Sequence, residues 1–148
     1  MKSKELIIVE ELKERFDGEI LKIDEPDNKR IYLLINPDSL TEISKFLYKK
    51  KKARFIIASG LHSKIGFEII YHYSMDETGH IINLQAILPH EDPEIESLTN
   101  LFSAAEWIER EIHEILGIKF RGHPNLVPLI SKDNWPEDTY PYRKDFKA

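Results

Sequence analysis

The chain has 148 residues, the length of one ordinary domain, and 41% of them are hydrophobic, enough to build a core. Charged residues make up 32%, mixed in sign with a net charge of −5, which argues against nucleic acid as a main partner. There is no cysteine, which excludes disulfides, thiolate catalysis, cysteine-ligated zinc and iron–sulfur clusters held by this chain, and fits an intracellular protein.

The opening stretch SKELIIVEELKERF spaces Leu6, Val9, Leu12 and Phe16 as one helical face, with Ser3 placed to cap. GEILKI and KRIYLLIN then read as two strands joined by the turn DEPDNK. NPDSLTEISKFLYKKKK predicts a second helix. Asn36 is its cap, Pro37 its first residue, and Leu40, Ile43 and Phe46 or Leu47 its apolar face. RFIIASGL, FEIIYHYSM and HIINLQAIL are three further strands, with DETG as a hairpin turn between the last two. In the last of them Ile82, Leu84, Ala86 and Leu88 face one way and Asn83 and Gln85 the other, as in a sheet covered on one side.

After PHEDPE, the stretch NLFSAAEWIEREIHEILG predicts a long helix. Leu101, Ala105, Ile108, Ile112 and Ile115 form its buried stripe, and Gly117 its left-handed stop. Residues 118–148 carry four prolines among many apolar side chains and predict an extended tail lying on another surface. The fold expected is α+β and two-layered. Helices lie on one face of a mixed or antiparallel sheet of about five strands. The core is residues 1–117, and residues 118–148 form a docking tail. No apolar run approaches the roughly 20 residues of a spanning helix and no signal peptide is visible, so another subunit would bring the chain to any membrane.

Chemistry by this chain alone is poorly supported. On the last helix Glu106, Arg110, His113 and Glu114 fall opposite the apolar stripe. Glu106–Arg110, Arg110–Glu114 and Glu109–His113 are spaced for ion pairs on a solvated face. HE at 113–114 is half of a zinc-protease motif, but position 117 is glycine where the second histidine belongs. A stand-alone metal-dependent hydrolase using His113, Glu114 and His123 is therefore the lesser reading. No nucleophile elbow and no glycine-rich phosphate loop is present. Lys49–Lys52 suit the negative end of the second helix, with a patch for an acidic partner or lipid headgroups as the functional alternative. His62, His72, His80 and His90 form no visible constellation.

WIEREIHEILGIKFRGHPNL, residues 107–126, resembles the signature of the 30 kDa-type subunit of respiratory NADH:quinone oxidoreductase, complex I. Nine positions match over sixteen residues: Glu109, Arg110, Glu111, Gly117, Ile118, Phe120, Gly122, His123 and Pro124. RKDF, Arg143 to Phe146, is similar to the family's C-terminal end. The sequence departs from respiratory members at His113, Glu114 and Asn125, and at Val127 and Pro128 where arginines are common. In those respects it is more similar to the related subunit of membrane-bound, energy-converting [NiFe] hydrogenases or of sulfur-reducing complexes.

The resemblance implies a subunit without a redox centre or metal of its own. It would pack on the large catalytic-type subunit and neighbouring iron–sulfur subunits in the hydrophilic arm of a membrane-bound oxidoreductase. The [NiFe] or iron–sulfur centres would lie in those partners, and the chain would sit peripherally on the cytoplasmic face of the membrane. The expected inter-subunit contacts are Glu109, Arg110, Glu111, His113, Gly117, Phe120, Gly122, His123, Pro124, Trp135, Arg143 and Phe146.

Overall fold

A computed structural model describes residues 4–126 together with Tyr140 and Arg143. Three α-helices and seven strands follow in chain order: α1 (Lys4–Arg15), β1 (Ile20–Asp24), β2 (Arg30–Ile35), α2 (Leu40–Lys45), β3 (Arg54–His62), β4 (Phe67–Met75), β5 (His80–Leu88), β6 (Glu94–Glu96), α3 (Ala105–Leu116) and β7 (Lys119–Arg121). A 3-10 turn at Pro37–Ser39 leads into α2 and a π turn at Phe46–Lys50 leads out of it.

The fold is α+β, as expected. Five strands form one mixed sheet in the order β1-β2-β5-β4-β3, and β6 and β7 form a second, two-stranded sheet. β1 and β2 are antiparallel, whereas β2 runs parallel to β5, with Ile31 beside Ile82 and Leu33 beside Leu84. A parallel pair needs a long crossover, and here α2, β3 and β4 supply it.

The chain clusters into two compact units. The first holds residues 1–56 and 71–86. Its core is Leu12, Leu33, Ile35, Leu40, Ile43, Leu47, Tyr71, Tyr73, Ile82 and Leu84. Asn36 caps the second helical stretch as expected, its side chain accepting from the Asp38 N–H at 3.1 Å. α2 packs over the sheet face that carries Tyr73, whose hydroxyl donates to Ser44 Oγ at 2.6 Å. Burial pushes the Tyr73 phenol well above its ordinary pKa. Asn83, expected on the open face, is nevertheless buried. Its amide is satisfied there, by His72 Nδ1 at 2.5 Å and by the Ile31 carbonyl at 3.2 Å.

The second unit holds residues 57–70 and 87–148. α3 lies against β3 at Gly60, where an added Cβ would stand 2.9 Å from Leu116 Cδ1. α3 begins at Ala105 rather than near residue 100, because residues 98–105 close a succession of tight turns. β6 and β7 are not foreseen by the sequence reading. They pair in parallel, Ile95 beside Phe120, and bury Ile95, Ile118 and Phe120. Ser3, the expected cap of α1, lies outside the described residues.

Candidate functional site

The signature residues gather around the C-terminal end of α3. Gly117 ends the helix in the left-handed conformation, φ 80°, and its N–H returns to the His113 carbonyl at 2.8 Å. His113 Nδ1 donates to the Ile118 carbonyl at 2.8 Å, tying the helix to the strand that follows. His123 Nε2 donates to the Glu106 carbonyl at 2.9 Å and its Nδ1 accepts from the Asn125 N–H. The two histidines thus hold two different backbone carbonyls. Among the described residues no group of three or more His, Cys, Asp or Glu could hold a metal ion.

The buried stripe of α3 is turned by about one residue from the expected one. Ala105, Glu109, Ile112 and Leu116 are buried, while Ile108 and Ile115 are half-buried. An acid in the stripe is tolerated because both its oxygens are satisfied: Ser97 Oγ donates at 2.6 Å and the Leu98 N–H at 2.8 Å. Glu109 therefore does not pair with His113, contrary to the solvated-face reading, and Glu114 is buried as well. Burial raises the Glu109 pKa, and the Leu98 and Ser97 hydrogen bonds oppose the shift.

Beyond the helix end, Arg143 Nε donates to the Leu116 carbonyl at 2.6 Å, one of the carbonyls a helix leaves unsatisfied. Its guanidinium lies 4.5 Å from the Tyr140 ring centroid and 4.9 Å from that of Phe67. Gly117 makes room for this, since a Cβ there would stand 2.6 Å from Arg143 Nη2 and 2.7 Å from the Tyr140 ring.

Of the expected contact residues, Glu109, Gly117 and Phe120 are buried. Glu111, Gly122 and Pro124 are exposed, and Arg110, His113, His123 and Arg143 are half-buried. Trp135 and Phe146 lie outside the described residues. Trp107, inside the signature window but not singled out from sequence, is 59% exposed with the Arg110 guanidinium 5.5 Å from its ring. A tryptophan left in water on a helix face is the signal that could have found it.

Two features lie elsewhere. Lys50–Lys52 line a cavity of about 380 Å³ together with Ile8, Glu11 and Met75, and Lys51 pairs with Glu11. His62 and His90, far apart in sequence, bring their rings together with Nε2 and Nδ1 3.0 Å apart. No described helix is long and apolar enough to cross a membrane.

The family described as "Respiratory-chain NADH dehydrogenase, 30 Kd subunit" matches residues 33–148. An NADH-quinone oxidoreductase subunit of Citrifermentans bemidjiense is 30% identical over 142 residues, covering 93% of this chain and 86% of its own. An F(420)H(2) dehydrogenase subunit of Methanosarcina mazei is 30% identical over 144 residues, covering 95% of this chain and 90% of its own. Among solved structures, a chain of the membrane-bound sulfane sulfur reductase, an archaeal respiratory membrane complex, superposes with TM-score 0.80 at 25% identity, covering 98% of this chain and 86% of that one. A trypsin-resistant fragment of Nqo5 shares the fold with TM-score 0.71 at 20% identity, covering 84% of this chain and all of the fragment. The signature around α3, the five-stranded mixed sheet and these matches agree, and the chain belongs to the family of the 30 kDa subunit of the respiratory-chain NADH dehydrogenase.

Proposed function

We propose that this chain is a non-catalytic structural subunit of a membrane-bound oxidoreductase related to complex I. It docks on the large catalytic-type subunit of the hydrophilic arm. The observation that carries this reading is the site itself. The family's signature residues build a helix end and a turn, and the two histidines of this stretch, His113 and His123, hold backbone carbonyls rather than face one another. Such a site orients a surface; it does not assemble an acid, a base and a nucleophile.

The buried signature residues, Glu109, Gly117, Ile118 and Phe120, act from inside by fixing the backbone. Trp107, Arg110, Glu111, His123 and Pro124 form the face offered to the partner, and of the tail 118–148 the part beyond β7 is the docking arm. The redox centres, iron–sulfur clusters with or without [NiFe], belong to neighbouring subunits. The chain sits peripherally on the cytoplasmic face and takes part in ion translocation only through the assembly.

The departures at His113, Glu114 and Asn125 point in sequence toward a [NiFe] hydrogenase. The relatives are named for NADH-quinone oxidoreductase, F(420)H(2) dehydrogenase and sulfane sulfur reductase, which supports the broader reading adopted here. The test is affinity purification of the tagged chain from detergent-solubilised membranes of its own organism. Recovery of a large catalytic-type subunit together with iron–sulfur subunits is expected. A chain that elutes alone from membranes shown to hold the intact complex contradicts the proposal.

A further inference from the structure

The cavity of about 380 Å³ in the first unit is lined by α1, by the end of the π turn with the two lysines after it, and by the end of β4 with the turn that follows. Its apolar lining is Ile7 and Ile8 from α1 and Met75 from β4. Ile8 is buried, but Ile7 is 46% exposed, so part of this apolar surface is left to water. The acids in the lining are already engaged. Lys51 pairs with Glu11 and lies 5.8 Å from the Phe46 ring centroid. Asp76 accepts from Arg54 Nε and Nη2 at 3.0 and 3.2 Å and from the Ser74 hydroxyl at 2.7 Å. Glu77 is not free either. Lys50 and Lys52, by contrast, are exposed, and neither pairs with an acid among the described residues. Counting Arg54, four cations meet three carboxylates there, so the uncompensated charge is positive.

The backbone fixes where one of these free lysines starts. Lys52 sits in the left-handed region, φ 56°, at the position of a helix stop that ordinarily carries glycine. The Ala53 N–H closes that stop on the Leu47 carbonyl at 2.9 Å. A lysine is held there at a conformational cost that glycine would avoid.

We propose that this cavity binds a small amphipathic anion, a free straight-chain carboxylate of about eight to ten carbons, within the ordinary size of small-molecule sites. Its chain lies on Ile7, Ile8 and Met75, and its head group is held by the Lys50 and Lys52 ammonium groups. One negative charge answers the one uncompensated positive charge of the lining. The flexible Met75 thioether adapts to an alkyl chain. A cavity of this size holds one such chain and not the two longer chains of a membrane lipid. Both parts of the ligand are needed. A short carboxylate lacks the apolar contact, and an alkyl cation meets charge of its own sign. From hexanoate to decanoate, affinity should rise by up to about fourfold for each methylene added.

Methionine-methyl NMR of the full chain tests the site, because the chain has only two methionines and Met75 lines the cavity. Sodium decanoate, kept monomeric, should shift the Met75 methyl signal saturably with a Kd below about 1 mM. Acetate and decyltrimethylammonium should bind at least about tenfold more weakly, a comparison made on the wild-type chain alone. Lys50→Glu with Lys52→Glu should weaken decanoate binding at least about tenfold, whereas Lys50→Arg with Lys52→Arg should stay within about threefold of wild type. Phosphatidylcholine vesicles containing phosphatidylglycerol should neither shift nor broaden the signal. The proposal is overturned by the lack of a saturable shift below about 1 mM decanoate, by equal affinity for decyltrimethylammonium, or by wild-type affinity in the glutamate variant. Loss of binding in the arginine variant, or a response to the vesicles, overturns it as well.

Discussion

Arg143 Nε meets the Leu116 carbonyl at 2.6 Å, so a residue 27 positions further along the chain completes the end of α3. The contact joins the two parts of the family resemblance, the signature around α3 and the RKDF segment near the C-terminus. Replacing Arg143 by Met keeps much of the apolar stem and removes the donor. A loss of about 1–3 kcal/mol is expected, from a charge-assisted hydrogen bond and two cation–π contacts. Denaturant titration against wild type measures it, and an unchanged midpoint would show that the contact contributes nothing.

Gly117→Ala acts on the same junction by another route. The left-handed backbone costs an alanine about 1 kcal/mol, and the new methyl collides with Arg143 and the Tyr140 ring. The two substitutions should be less than additive, because each disturbs the same contact. A double-mutant cycle by thermal unfolding checks this; strict additivity would mean that the collision does not displace Arg143.

Glu109 gives a pH signature. Its pKa is raised by burial, so the folded chain holds its proton to higher pH than the unfolded chain does. The stability linked to this group is therefore full below the ordinary carboxylate pKa of about 4.3 and declines as pH rises through the higher folded value. Glu109→Gln, which stays uncharged, should flatten that decline. Glu109→Ala should instead cost about 1–3 kcal/mol at every pH, since the Ser97 hydroxyl and Leu98 N–H lose their acceptor. Stability measured from pH 4 to 8 on the three proteins separates these outcomes.

Gly60 sits beneath α3 with Leu116 Cδ1 2.9 Å and Ile112 Cγ2 3.3 Å from where a Cβ would stand. Gly60→Val should lift the helix and cost about 1–3 kcal/mol. Gly60→Val with Leu116→Ala should recover part of that loss if helix contact is its cause. Unfolding midpoints of the two variants decide it.

Much of the element order is legible in the sequence, because apolar spacing and turn residues mark it locally: Asn36–Pro37 before the second helix, Gly117 after the third, and alternation along Ile82, Leu84, Ala86 and Leu88. Partnerships set by distant residues are not legible. Periodicity does not tell which strand lies beside β2, and the three-residue β6 and β7 are too short to carry a pattern. The stripe of α3 is misplaced by about one residue in the sequence because Glu109 reads as a surface acid until Ser97 and Leu98 are seen to satisfy it. The meeting of His62 with His90 depends on where two separate strands end, which no spacing rule records.

The proposed docking surface is tested most directly by the double variant Trp107→Ala, Arg110→Glu, carried on the tagged chain in its own organism. Trp107 is largely exposed and Arg110 half-buried, and the unfolding midpoint of the variant establishes whether it is folded. Recovery of the large subunit with the tagged chain should fall at least tenfold, as loss of an aromatic anchor and reversal of its charged neighbour require. Undiminished recovery with a normally folded variant would contradict docking through this face of α3.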